Sequence, residues 1–488
     1  MVKIGEKPSF AKGYGGQVRT FDRQLWRPAD VFYSIRCYRR SSVEILQNIL
    51  GDQMDNFDPR KVIDILRSHL AIHDTPLSFI FGAGTSCSVT VPEEKDPTKT
   101  RPLIPDVAGL TNECKKKVIA IGKKYPPAWE AIVRECTEAR EVANIETILS
   151  RVRAKIDAMG SDDLSVGLNR NELKEFETMT RKTIAQIAAP DLDKIPLKTP
   201  HSDFALWIKQ ITRKRPVEIF TTNYDVLIER ALERARIPVF DGFVGCHETF
   251  FCPEYLRKDC FPLGGEWVKL WKIHGSVNWQ RIKRGRDSSI TRGQVIKDGE
   301  MILPSLRKYD ESRKLPYQAM LDRLGTVLSY DGSIMVTCGF SFGDQHINEV
   351  IFNALDNYPL SHVISLQYGD ISPDSFLIKA AAERPNFMVL GRKSGIIRGK
   401  HVGWWLSEQV DKKTHSFMDI LFDSDAEPDP NKKSHTGELL TGDFVRLCHA
   451  LAEMGGEVTA TDTTKVVTQD ANTPIEKADA DKNKEVTT

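Results

Sequence analysis

The sequence predicts an α/β protein in which a parallel sheet carries its ligand groups on the loops that follow strand ends. Three observations carry this. Short apolar runs alternate with helically spaced ones between residues 217 and 390, the pattern that builds βαβ units. The polar motifs fall immediately after such runs, and open parallel sheets hold ligands at the carboxyl ends of their strands. No apolar run of about 18 residues occurs, so no spanning helix is expected.

In chain order, residues 1–60 are Gly-, Arg- and aromatic-rich and read as an N-terminal extension, with a short helical pattern at Ser41 to Leu50. Apolar residues at 62, 63, 65, 66, 70 and 72 predict an amphipathic helix over Lys61 to His73. It leads into the Leu77 to Phe81 strand, and residues 61–395 form the expected main domain. A polar loop, Val91 to Pro105, precedes a long helical region, taken as an insertion over 107–215. Its helical spacing is plainest at Asn144 to Leu149 and Glu172 to Ala189. Strands are then expected at Val217 to Phe220, Trp267 to Ile273, Ser333 to Cys338, Val363 to Leu366 and Phe387 to Leu390. The intervening helices are Val226 to Ala235, Ile347 to Leu355 and Ser375 to Glu383. Residues 396–457 read as a small, partly helical appendix, and 458–488 as a disordered tail without aromatics.

Composition narrows the function classes. Lys plus Arg (68) balances Asp plus Glu (67), so no overall field draws the chain to nucleic acid or an anionic membrane. The basic run Arg281 to Arg286, with Arg292 and Lys297, lacks interleaved aromatics and reads as a solvated loop. Nine scattered cysteines without a CxxC pair, and a start with no apolar leader segment, fit a reduced cytoplasmic protein.

Four segments carry the candidate chemistry. Gly82-Ala83-Gly84-Thr-Ser86-Cys87 closes the first strand, and glycine there lets backbone N–H groups approach a pyrophosphate. The third glycine of a hydride-transfer dinucleotide fingerprint is absent, which disfavours a Rossmann dehydrogenase. Thr221-Thr222-Asn223-Tyr224-Asp225 ends the second strand; Asn223 and Asp225 are either helix caps or catalytic groups. His274 in His-Gly-Ser276 ends the third, where it is either a core histidine or a base. Thr337 to Asn348 joins a strand to a helix: Gly339 and Ser341 offer donors, and Asp344 is expected to cap the helix.

Taken together, these segments resemble the sirtuin-like family, and especially its branch of bacterial defence proteins that destroy NAD. Gly-Phe-Ser-Phe-Gly-Asp-x-His-Ile-Asn at 339–348 is the most specific match. Asp241-Gly-Phe-Val-Gly245 is similar to the sirtuin-like partners of HerA-type ATPases. The resemblance implies a Rossmann-like parallel sheet of sirtuin type with a helical insertion and helical terminal extensions. It also implies NAD as substrate, held by Gly82, Ala83, Gly84, Ser86, Asp106, Thr222, Gly339, Ser341 and Asp344, with Asn223, Asp225 and His274 catalytic. Asp106 has a second reading as the cap of the helix from Val107. Thr222 stands where sirtuins carry glutamine.

Deacylating sirtuins carry a four-cysteine zinc module after the His-Gly pair, yet no cysteine lies between His274 and Cys338. Cys246, His247, Cys252 and Cys260 precede it at spacings unlike a tetrahedral site, so no metal is expected. Without an acyl-lysine module, water becomes the nucleophile and NAD glycohydrolysis the leading expectation. Such an activity demands restraint, by homo-oligomerisation or by a HerA-type ATPase partner. NAD-dependent deacylation, ADP-ribosyl transfer, and a non-catalytic nucleotide-sensing scaffold are the competing readings.

Overall fold

Runs of β-branched and aromatic residues such as Leu77–Phe81 and Val217–Thr221 are buried on both faces, as strands in the middle of a helix-covered sheet must be. The structure is a computed structural model describing residues 55–94, 96–160, 162–257, 263–284, 287–296, 301, 315–409, 417–425 and 434–454. The expectations for Ser41 to Leu50, Cys260, Lys297 and the 458–488 tail lie outside the described residues. The strands of the main sheet are β1 (Asp55–Phe57), β2 (Leu77–Phe81), β3 (Val217–Thr221), β4 (Val239–Phe240), β5 (Val268–Lys272), β6 (Ile334–Cys338), β7 (His362–Leu366), β8 (Phe387–Leu390), β9 (Ser394–Ile397) and β10 (Lys400–Trp404). Their spatial order is β1-β10-β9-β8-β7-β6-β2-β3-β5-β4. All neighbours run parallel except the β8-β9 and β9-β10 pairs.

From β2 the chain builds outward through β3 and β5, then returns to lay β6, β7 and β8 on the other side of β2. The direction of winding therefore switches between β2 and β6, the crevice where such sheets bind ligands. Registers pair Cys338 with Phe81, Phe81 with Thr221, and Thr221 with Lys272. Four neighbouring strands thus end level with one another, and their following turns share one edge of the sheet.

Besides two short helices at Glu254–Arg257 and Phe417–Leu421, the described helices are α1 (Pro59–Ala71), α2 (Ala83–Cys87), α3 (Val107–Ile119), α4 (Tyr125–Glu138), α5 (Ile145–Ala158), α6 (Arg170–Ala188), α7 (Pro200–Gln210), α8 (Leu227–Arg234), α9 (Tyr317–Leu328), α10 (Gln345–Asn357), α11 (Phe376–Glu383) and α12 (Phe444–Met454). The α5 and α6 starts are fixed by Asn144 and Asn169 capping boxes. Helices α3 to α6 enclose a core of their own around Trp129, Ile148, Leu173 and Phe176, with Trp129 stacked on Phe176 at 5.5 Å. Within the 107–215 stretch, α7 behaves differently: Phe204, Trp207 and Ile208 join the core under the main sheet. Beyond residue 396, the chain completes β9 and adds β10, which pairs with the edge strand β1, and α12 packs on the same core through Phe444, Leu447 and Leu451. Among the described residues no helix is long and apolar enough to cross a membrane.

One expectation is corrected. Of the basic run read as a solvated loop, residues 281–284 belong to an antiparallel hairpin, Trp279–Arg284 with Asp287–Arg292. Buried Trp279 and Ile290 anchor it, an apolar contribution that the surrounding charges mask. Arg292 reaches Asp241 at 2.8 Å.

Candidate functional site

The turns after β2 and β6 touch backbone to backbone. Gly82 donates its N–H to the Cys338 carbonyl at 3.2 Å, and Gly84 donates to the Gly339 carbonyl at 3.1 Å. A Cβ on Gly82 would lie 2.4 Å from the Gly339 oxygen, one on Gly84 2.7 Å from the Gly339 Cα. Gly339 itself adopts φ +64°, open to glycine at little cost. These glycines are required for close approach of two turns, and the N–H groups of Gly82 and Gly84, expected to face a pyrophosphate, are engaged within the protein. Ala83 and Gly84 are exposed at the mouth of the turn.

The turn after β3 locks onto this pair. The Asn223 amide donates to the Gly82 carbonyl at 2.9 Å, to Thr85 Oγ1 at 3.1 Å and to Ser86 Oγ at 2.9 Å. Ser86 Oγ donates to Asp225 Oδ2 at 2.6 Å, while Asp225 Oδ1 accepts from the Leu227 N–H at 3.0 Å. Asp225 therefore holds the Ser86 hydroxyl and the Leu227 N–H from one residue before the cap position, which Val226 occupies without a side-chain cap bond, so the capping expectation for Asp225 is corrected. Asn223 does not cap the helix with its side chain; its amide points to the Gly82 turn. Thr222 uses its N–H on the Phe81 carbonyl at 3.3 Å.

The turn after β5 is stitched to the same place. Tyr224 O accepts from Ser276 Oγ at 3.2 Å and from Val277 N–H at 2.9 Å. Lys272 Nζ donates to the Tyr224 carbonyl at 3.4 Å, to the Asp225 carbonyl, and to Glu229 Oε1 at 2.8 Å. Burial pushes the Glu229 carboxyl up, against the opposing pull of Lys272. Sequence reasoning missed Lys272 and Glu229, although a lysine inside the apolar Val268–Lys272 run was a visible signal.

His274 is 2% exposed. Its Nε2 lies 3.9 Å from Asp344 Oδ2, and its ring stacks on His346 with centroids 5.5 Å apart at 30°. Asp344 occupies the cap position of α10, but its side chain makes no capping hydrogen bond. The capping expectation is thus corrected: the loop after β6 sets this carboxylate 3.9 Å from His274 instead. Asp106 does cap α3, accepting from Gly109 N–H at 2.8 Å, and is exposed. Ser341 is exposed too, and its hydroxyl accepts from the Gly343 N–H at 3.3 Å.

A small cavity with room for about one water molecule lies behind the turns, lined by Phe81, Thr85, His201, Thr221, Asn223, Asp225 and Ile228. His201, from the first turn of α7, was missed by sequence reasoning because nothing local distinguishes it. Burial lowers its pKa to about 4, with Asp225 pulling the other way. The sign follows directly: below the ordinary 6.5 the unfolded chain binds a proton that the fold excludes. Stability should therefore fall between pH 6.5 and about 4, by up to about 3 kcal/mol. Urea unfolding of wild type and His201→Leu at pH 7.5 and 4.5 checks this: the wild type should lose more stability on acidification than the variant. Burial, helped by Asp106 and Asp225, pushes the Cys87 thiol up to about 11, so it is no thiolate nucleophile at neutral pH.

The structure thus brings Gly82, Gly84, Ser86, Thr222, Asn223, Asp225, His274, Gly339 and Asp344 to one edge of the sheet and leaves Asp106 and Ser341 at its exposed margin. A search of curated proteins finds no match. Residues 217–387, which carry β3, β5, β6 and the turns bearing Asn223, Asp225, His274 and Asp344, match the family model of the SIR2-like domain. That match supports a Sir2-type domain in this stretch of the chain and fits an NAD-related activity.

Proposed function

We propose that the protein hydrolyses NAD to nicotinamide and ADP-ribose and serves as an NAD-depleting effector of anti-phage defence. The observation that carries this is the meeting of the Asn223, Asp225 and His274 turns beside the sheet's switch point, where they are tied to the Gly82 turn, inside a stretch that matches a SIR2-like domain. In this reading the substrate lies along the exposed rim of the Gly82 and Gly339 turns, with Ala83, Gly84 and Ser341 at its surface, Ser86 and Thr222 behind them and Asp106 at the margin.

In this reading Asn223 orients the nicotinamide ribose and a water, and Asp225 fixes Ser86 and lines the nicotinamide side. The bond from ribose C1′ to nicotinamide breaks, its electron pair leaving on neutral nicotinamide. A water oxygen bonds to C1′, and neutral His274 accepts the proton released. The lack of any cysteine between His274 and Cys338 favours water over an acyl-lysine oxygen as nucleophile. Restraint comes from assembly, as a homo-oligomer or with a HerA-type ATPase, which needs only to hold the resting active fraction low by a few kcal/mol. Incubating the protein with NAD, alone and with its genomic-neighbour proteins, tests the reading. Nicotinamide release in either arm supports it; intact, tightly bound NAD in both would favour a nucleotide-sensing scaffold.

A further inference from the structure

We propose that Asp344, at the cap of α10, and His346, in its first turn, are positioning residues for His274: the carboxylate selects the proton-bearing ring nitrogen, and the second imidazole holds the ring plane. The proposal rests on His274 being the base in the reading above.

Three observations carry it. A cap-position aspartate normally accepts from the helix N–H groups, yet Asp344 forgoes that bond and sets Oδ2 3.9 Å from His274 Nε2. His346 stacks on His274 at 5.5 Å although the two come from different turns, and both are buried, at 8% and 2% exposure. The loop that delivers them is pinned. Phe342 takes a positive φ of 56°, its carbonyl accepts from Asn348 Nδ2 at 2.7 Å, and its ring packs on Phe340 at 4.7 Å. Three consecutive constraints on one short loop fix where residues 344 and 346 point.

The chemistry follows from charge. A base that takes a proton becomes cationic, and a carboxylate beside it stabilises that form. A stacked imidazole opposes a second proton, so the pair works with one. Among the described residues, Asp344 and His346 from the start of α10 face His274, and Lys272 on the preceding strand is paired with Glu229 of α8. Asp344 Oδ2 lies 3.9 Å from the ring nitrogen, longer than a hydrogen bond, so its hold on the ring is electrostatic.

The test is an NMR titration of histidine-labelled full-length protein, which needs no turnover. In Asp344→Asn the His274 ring should titrate about one pH unit lower than in wild type. Its nitrogen shifts should also show a redistributed tautomer. Coincident titration curves would overturn the proposal. Where the wild type releases nicotinamide, the acid limb of kcat/KM should move down by the same interval in Asp344→Asn. His346→Ala should lose about tenfold in kcat, and His346→Phe, which keeps a ring against His274, should recover most of it. Equal loss in the Phe and Ala variants would remove the positioning role of His346. A wild type with the predicted titration but no nicotinamide release would count against the hydrolase reading alone.

Discussion

Asn223→Ala and His274→Ala should each lower nicotinamide release by about a hundredfold to ten-thousandfold, the span that a positioned general base or orienting group contributes. The two losses have different structural causes. His274→Ala removes the proposed proton acceptor, while Lys272, Ser276 and Val277 still hold the turn after β3. Asn223→Ala deletes the amide that ties the Gly82 turn to the β3 turn through Gly82 O, Thr85 and Ser86. Its melting temperature should drop as well, since three acceptors lose a donor. His274→Ala should also melt lower, through the cavity left by a buried ring rather than through stranded acceptors. Steady-state kinetics with thermal melts measures both effects, and unchanged turnover in both variants would remove the site assignment.

Arg323→Ala should destabilise the fold by about 3 to 5 kcal/mol, because it leaves a buried carboxylate without its main partner. Arg323 and Glu218 are 3% and 7% exposed. The guanidinium donates to both Glu218 oxygens, one at 2.9 Å, and to the Leu256 carbonyl at 3.4 Å. Trp271 Nε1 adds a bond to Glu218 at 2.7 Å, and Lys269 stands 3.7 Å away. The network fastens α9 to β3 and β5, the two strands that carry Asn223 and His274. Replacing both partners by apolar residues of similar size, Glu218→Met with Arg323→Met, should recover most of the loss. Denaturant unfolding of the single and double variants measures the coupling. If the double variant were as unstable as the sum of its singles, the loss would come from packing rather than from a stranded charge.

Much of the fold was legible because periodicity reports burial. Strands such as Leu77–Phe81 and Phe387–Leu390 are continuous apolar runs, and α8 shows its buried Leu227, Ile228, Ala231 and Leu232 at helical spacing. The turns were legible because glycine and Asn-Tyr-Asp punctuate strand ends. What sequence could not carry was tertiary. Nothing local says that Gly84 meets Gly339, that Asp344 turns from its helix toward His274, or that His201 lies behind Asn223. Each depends on strands far apart in the chain becoming neighbours. Capping propensity was a good guide for Asp106 and a poor one for Asp344, where a buried imidazole competes with the helix amides. The basic hairpin was hidden because its charges outnumber the two buried residues, Trp279 and Ile290, that decide its structure.

The most direct test of the proposed hydrolysis is the product balance of the active protein with NAD, counting nicotinamide, free ADP-ribose and protein-bound ADP-ribose in one reaction. Hydrolysis at the bond between nicotinamide and ribose predicts one free ADP-ribose for each nicotinamide, with none on protein. Nicotinamide in excess of free ADP-ribose, with the remainder attached to protein or to an acyl group, would contradict it.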